Sequence, residues 1–259
     1  MYYYRVGQGE PLVFIPGGNG RGFRLVTDKF AQHFTCYVLD LPGSDHSDIP
    51  RSWLSTRTWT VSDYTAAILE VLDSIGIEQS CFIGDHTGAM IVLEIAAHYP
   101  KRVKKMVLDS LAFWDLRRGA AVWESAFKLQ HTDTTSYDVP VSPLLPPWEE
   151  AKRNEPDLAL EAWKLRDELS RRDRRWHRVH QYANSHFDTE ALGPMVEVPT
   201  LLIYGEREVL RRGEKRAHEA IRGSILKIIQ DSPRKGVATG GSHQFKPEEF
   251  SKLALDFLL

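Results

Sequence analysis

A histidine stands at the centre of the segment Gly84-Asp85-His86-Thr87-Gly88, between a short apolar run and an apolar helical pattern. A strand–turn–helix with this glycine spacing holds its central residue in a sharp turn, with the side chain above a sheet. A serine in that place attacks carbonyl groups, but an imidazole has no hydroxyl to deprotonate. Because a neutral imidazole accepts protons near neutral pH, we expect His86 to activate water or to abstract a substrate proton. We expect the side chain of Asp85 to point away from the site.

The elements that must position this turn are predicted from the apolar pattern of the chain. Six short apolar runs indicate buried strands, at residues 11–16, 35–40, 80–84, 103–108, 200–205 and 224–229. Helical patterns separate most of these runs. The chain is therefore predicted to be of the α/β class, with a doubly wound, mostly parallel sheet that is covered on both faces.

The alternation stops between residues 112 and 196, which hold five of the seven tryptophans. This segment predicts a helical cap inserted between the fourth and fifth predicted strands, with residues 1–111 and 197–259 forming the core. Open α/β sheets bind ligands at the carboxyl ends of their strands. We therefore expect the cap to cover the site.

Five segments, taken in order, resemble the α/β-hydrolase superfamily over nearly the whole chain. They are Pro16-Gly17-Gly18, residues 40–47, the segment 84–88, residues 205–208 and Gly241-Ser242-His243. The resemblance implies that His243 is a base and that Glu208 is the acid that orients it, with Asp109 as the alternative acid at the end of the fourth strand. It also implies an oxyanion hole formed by the backbone amides of Gly18 and Thr87. The departure from the family pattern is His86, in place of the usual serine.

These residues predict a cofactor-independent enzyme that acts on a small, apolar, carbonyl-containing substrate. We expect Gly17 and Trp114 to contact that substrate. The predicted reaction is hydrolysis of an ester, a lactone or an activated carbon–carbon bond, with histidine in place of the serine nucleophile. The alternatives are a lyase, cyclase or cofactor-free oxygenase reaction at the same site, and a catalytically silent ligand-binding module. Substrate identity, the choice between Glu208 and Asp109, the oligomeric state and whether His86 is native or engineered stay open at this point.

Composition narrows the range of partners. The formal net charge of −2 provides no basic field for nucleic acid or an anionic membrane. No apolar run approaches the ~20 residues of a membrane span, and the first residues lack a signal-peptide pattern. Cys36 and Cys81 lie in apolar runs, so we expect reduced cysteines and a cytoplasmic location. His46, His86 and His243 lack the spacing of metal ligands, so no metal is predicted.

Overall fold

The computed structural model describes residues 1–18, 20–51, 59–121, 146–154, 156, 158–172, 177–230 and 241–259. Seven strands are described: β1 Tyr3–Val6, β2 Glu10–Ile15, β3 Phe34–Leu39, β4 Ser80–Asp85, β5 Val103–Asp109, β6 Thr200–Gly205 and β7 Ile225–Ile229. They form one sheet in the order β1-β3-β2-β4-β5-β6-β7. Only the pairing of β1 with β3 is antiparallel among these strands. The predicted doubly wound, mostly parallel sheet is confirmed.

The described α-helices are α1 Thr27–Phe30, α2 Val61–Ser74, α3 Thr87–His98, α4 Trp148–Asn154, α5 Leu160–Arg172, α6 His177–Ser185, α7 Thr189–Leu192, α8 Glu214–Ala220, α9 Ser242–Phe245 and α10 Pro247–Leu258. Residues 116–121 are also helical. Short 3-10 turns cover Gly20–Phe23, Pro100–Arg102, Gly193–Met195 and Val209–Gly213. None of the helices in the described residues is long and apolar enough to cross a membrane.

Both faces of the sheet are buried, and β2 shows why its sequence is apolar throughout. Val13 and Ile15 belong to a core shared with α2 and α3. Leu12 and Phe14 alternate with them and belong to the opposite core, which includes residues of α1 and α10. A strand covered on both faces needs apolar side chains at successive positions, which is the pattern that predicted these strands.

Six of the seven strands match predicted runs, and the exception is β1. This strand has four residues, Tyr3–Val6, and its side chains are exposed or only partly buried. It pairs along one side only, with β3, at the end of the sheet. A short strand at the edge of a sheet carries no continuous apolar run, so the sequence pattern did not reveal it.

The segment between β5 and β6 contains α4 to α7, and its described residues include no strand. Helices α4 and α5 share a small apolar cluster that includes Ala151 and Ala162. Trp123, Trp176 and residues 139–145 lie outside the described residues. The cap at residues 112–196 and the core at residues 1–111 and 197–259 stay predictions.

Candidate active site

The turn between β4 and α3 has the predicted strained geometry. His86 has φ +50° and ψ −110°, a conformation that residues with side chains rarely adopt. The flanking positions must be glycine, because the neighbouring backbone leaves no room for a side chain. A side chain at Gly88 would overlap the carbonyl oxygen of Ile15, and one at Gly84 would lie 2.6 Å from the oxygen of Gly88. The glycine spacing in the sequence therefore predicts the turn for a steric reason.

The imidazole of His86 is hydrogen bonded to the preceding residue. Its Nδ1 lies 2.6 Å from Oδ1 of Asp85. The His86 side chain is 27% exposed and that of Asp85 is 8% exposed. The expectation that Asp85 points away from the site is wrong. It assumed that strand alternation continues through the turn, whereas the positive φ of His86 turns the chain and brings the ring onto the Asp85 carboxylate.

This pairing changes the charge of His86. Burial of the imidazole lowers its pKa, but the charge and hydrogen bond of Asp85, together with the charges of Glu208 and Asp109, outweigh burial and raise the pKa to about 9. At pH 7 about 1% of the rings are then neutral. His86 is therefore an imidazolium at neutral pH, and not the neutral proton acceptor that the sequence predicts.

The second imidazole, His243, forms its own pair with Asp109. Its Nδ1 lies 2.7 Å from Oδ2 of Asp109, and neither side chain has any exposed surface. The ring stacks on Phe23 with centroids 4.4 Å apart, and its Nε2 lies 3.3 Å from the side-chain amide nitrogen of Gln244. Asp109 also accepts from the backbone amides of Ser242 and His243, at 3.1 and 3.2 Å. Of the two acids left open by the sequence, Asp109 is the one that contacts His243.

Glu208 lies beside this pair, not on it. Its Oε2 accepts from the amide of Gly205 at 2.9 Å and from the hydroxyl of Ser110 at 2.8 Å. Burial and the charge of Asp109 raise the pKa of Glu208 to about 7. The role that the resemblance implied for Glu208, orienting His243, does not match these contacts, because Glu208 is held in the turn after β6 and Ser110 lies between it and Asp109.

The two pairs meet in one cluster. Asp85 and Asp109 are register partners at the ends of the adjacent parallel strands β4 and β5. One side-chain nitrogen or oxygen of each of Asp85, Asp109 and His243 lies within 4.8 Å of the others. Gly241 is in contact with the cluster, and a Cβ there would lie 2.5 Å from Oδ2 of Asp109. Because each carboxylate already accepts from an imidazole, the arrangement is suited to holding and moving protons.

The predicted oxyanion residues lie next to the turn. Gly17 packs so closely on it that a Cβ at Gly17 would be 3.2 Å from Cβ of His86. Within the described part of the chain, the amides of Gly18 and Thr87 donate to no protein acceptor. The Thr87 amide also begins α3, whose dipole favours negative charge at that end. The role of these two amides as an oxyanion hole stays a prediction.

Trp114 is hydrogen bonded to the segment that precedes β6. Its indole nitrogen donates to the carbonyl oxygen of Asn184 in α6 at 3.2 Å, and its backbone amide donates to Thr189 at 2.7 Å. The side-chain amide of Asn184 in turn donates to the hydroxyl oxygen of Thr87 at 2.9 Å. The sequence analysis missed Asn184, since no motif surrounds it. Contact of Trp114 with a substrate stays a prediction.

Comparison with known proteins gives a consistent picture. Residues 10–210 match the family model described as alpha/beta hydrolase fold. A cis-3-alkyl-4-alkyloxetan-2-one decarboxylase from Shewanella oneidensis is 30% identical over 111 residues, which are 42% of this chain and 34% of that protein. A pimeloyl-[acyl-carrier protein] methyl ester esterase from Hamiltonella defensa is 28% identical over 111 residues, 41% of this chain and 39% of that protein. The matches thus span well under half of the length of these curated relatives.

Solved structures match over a larger part of the chain. The enol-lactonase from Burkholderia xenovorans LB400 has a TM-score of 0.76 at 19% identity, and the match covers 99% of this chain and 95% of that one. MenH from S. aureus has a TM-score of 0.76 at 18% identity, with 99% and 97% covered. At these identities the likeness is one of fold.

Proposed function

Because the chain belongs to the alpha/beta hydrolase fold family, we propose that it is an enzyme that uses His86 to activate water against a small carbonyl-containing substrate. The observation that carries the proposal is the His86–Asp85 pair on the strained turn. The elbow of this family presents its central side chain to the substrate. In this chain the group presented there is a partly exposed imidazole with a carboxylate partner.

The pair provides a proton acceptor with a fixed tautomer. Asp85 accepts from Nδ1–H of His86, so that in the neutral ring the lone pair is on Nε2. Nε2 takes a proton from water while the water oxygen bonds to the carbonyl carbon. The same proton then goes to the leaving oxygen as its bond to carbon breaks, so no acyl-enzyme forms. The amides of Gly18 and Thr87 would hold the carbonyl oxygen as it gains charge, which is worth ~3–4 kcal/mol per donor in related chemistry.

His243 has an indirect role in this chemistry. Its side chain has no exposed surface, and its Nδ1 is engaged by Asp109, so it does not face a ligand as His86 does. We assign proton transfer to His86, and we assign to His243 and Asp109 the electrostatic environment of Asp85. This assignment differs from the one that the resemblance implied, in which His243 was the base.

Esters and lactones are the substrate classes that the comparisons favour. One curated relative is named as a methyl ester esterase, and two structural neighbours are named as an enol-lactonase and as an N-acyl homoserine lactone degrading enzyme. A small ester or lactone also supplies the carbonyl and the leaving oxygen that the mechanism needs. No cofactor has a part in these steps.

Hydrolysis can be tested with p-nitrophenyl esters and a set of γ- and δ-lactones. We expect kcat/KM to fall by about 10²-fold or more in His86→Ala, the usual size of a general-base effect. A fluorophosphonate probe should leave the wild-type protein and His86→Ala unlabelled. We expect His86→Ser to stay unlabelled as well, because without His86 no imidazole faces the new hydroxyl in this assignment; labelling would return the role of base to His243. Full turnover in His86→Ala would refute the role given to His86.

A non-hydrolytic reaction is the second candidate, and the pKa of His86 favours it. An imidazolium at neutral pH is a proton donor, which suits a lyase that protonates a carbanion or enolate. One curated relative is named as a decarboxylase. Turnover in ¹⁸O-labelled water separates the two candidates, because hydrolysis adds the label to the acid product and a lyase reaction does not.

A further inference from the structure

Ser110 occupies an unusual position next to Asp109. It directly follows β5, it is fully buried, and its φ of +58° is one that residues with side chains rarely adopt. Its hydroxyl oxygen lies 2.8 Å from Oε2 of Glu208 and 3.3 Å from Oδ1 of Asp109. A hydroxyl has one proton, so Ser110 can donate to only one of these carboxylates at a time.

The contacts on either side extend this arrangement into a chain. Asp109 faces Ser110 with Oδ1 and faces His243 with Oδ2, at 3.3 and 2.7 Å. Glu208 has a second oxygen, Oε1, that is buried and has no hydrogen-bond partner among the described residues. A line of close polar contacts thus runs from Glu208 through Ser110 and Asp109 to His243. Glu208 lies at its end, and one of its two carboxylate oxygens has no partner among the described residues.

We propose that Ser110 is a positioning residue that turns its hydroxyl proton between Glu208 and Asp109, and thereby makes the Asp109–His243 hydrogen bond sensitive to the charge of Glu208. The proposal goes beyond the proposed function, since it holds whichever reaction the site performs. It also gives a reason for a residue with a side chain at a backbone conformation that glycine would adopt more easily.

The two states differ in one proton on Glu208. When Glu208 is an anion, its Oε2 accepts from the Ser110 hydroxyl, and Asp109 loses that donor. When Glu208 takes up a proton from solvent, it donates to the Ser110 oxygen, and the Ser110 proton turns to Oδ1 of Asp109. Asp109 then has one more donor and attracts the Nδ1 proton of His243 less strongly. The pKa of Glu208, about 7, places this change near neutral pH.

Other titratable groups face the contacts between Glu208 and His243 from three elements of the structure. The turn after β4 contributes Asp85 and His86, and the charge of His86 favours the ionised form of Glu208. Tyr204 on β6 donates its hydroxyl to the carbonyl oxygen of Leu111, and its pKa lies well above its usual value, so it stays neutral. Glu214 on α8 is paired with Arg211. The pKa of Glu208, about 7, places its change of charge between pH 6 and 8.

The test follows the Nδ1 proton of His243 by NMR against pH, with the signal assigned by its loss in His243→Asn. In the wild-type protein we expect a step in its chemical shift at the pH where the Glu208 carboxyl carbon titrates. The step should be absent in Glu208→Gln, while any step that belongs to His243 itself remains. In Ser110→Gly the step should fall to about half or less, although Glu208 still titrates.

Ser110→Gly is the first variant because glycine adopts a φ of +58° freely and removes only the hydroxymethyl group. Ser110→Ala keeps Cβ and separates the effect of the hydroxyl from that of side-chain volume. A step of undiminished size in both variants would show that the coupling is purely through space and would overturn the proposal, as would the absence of a step in the wild-type protein. The readout is an NMR titration and not turnover. The proposed role of Ser110 can therefore fail while the proposed hydrolysis holds, and the hydrolysis can fail while the role of Ser110 holds.

Discussion

Replacing Asp85 by asparagine tests the central pair directly. The Asp85 carboxylate supplies two of the effects that raise the pKa of His86 from 6.5 to about 9, against a burial effect that lowers it. A difference of this size corresponds to about 3 kcal/mol of interaction with the charged ring, at 1.36 kcal/mol per pKa unit. Asparagine keeps the shape and an acceptor oxygen but removes the charge. We therefore expect the pKa of His86 to fall by about 2 units in Asp85→Asn.

The assay is the pH dependence of kcat/KM on an ester or lactone that the wild-type protein turns over. If neutral His86 is the base, wild-type kcat/KM rises about tenfold per pH unit from pH 6 and levels off near pH 9. In Asp85→Asn the rise should level off near pH 7. NMR titration of the His86 ring measures the same pKa without turnover.

Two results would refute the reasoning. Wild-type kcat/KM that falls as the pH passes 9 would show that the charged ring is the active form, which would make His86 an acid. A rising limb at the same pH in Asp85→Asn and in the wild-type protein would show that Asp85 does not set the pKa of His86.

Three further outcomes follow from the same contacts. The raised pKa of His86 stabilises the folded state by on the order of 3 kcal/mol, and this contribution is complete below pH 6.5. It is lost as the pH rises through about 9. The free energy of unfolding in urea should therefore decline over this range in the wild-type protein and not in His86→Gln. Glu208 keeps its proton to a higher pH in the folded state than in the unfolded state, so the free energy of unfolding falls as the pH rises from 4.5 to about 7. Glu208→Gln should remove this pH dependence. At pH 8 it should unfold at a higher urea concentration than the wild-type protein. Gly241→Ala should lower the free energy of unfolding by more than about 2 kcal/mol, because the new Cβ would overlap the carboxylates of Asp85 and Asp109. The backbone itself would tolerate alanine, since the φ of Gly241 is −72°. A thermal melt like that of the wild-type protein would contradict this packing.

The parts of the fold that could be predicted from the sequence are those with a strong local pattern. Continuous apolar runs identified the buried strands, and the spacing of Gly84 and Gly88 identified the turn at His86, because both patterns record steric needs of the chain itself. β1 had no such pattern, since it is short and lies at an edge.

The charges of the site could not be predicted in the same way. The pKa of His86 depends on carboxylates that come from the ends of β4 and β5 and from the turn after β6. Their convergence is a property of strand order and register, which a single sequence does not show. For the same reason the sequence left open the choice between Asp109 and Glu208, and the contact between Asp109 and His243 in the folded chain decides it.

The bond from Asn184 to Thr87 joins two parts of the molecule that lie far apart in the sequence. Asn184 belongs to α6, within the segment that precedes β6, and Thr87 supplies the first amide of α3. Thr87 is thus held by a residue 97 positions later in the chain. The geometry at the start of α3 therefore depends on the segment before β6 being in place, and Asn184→Ala would remove that support without touching α3 itself.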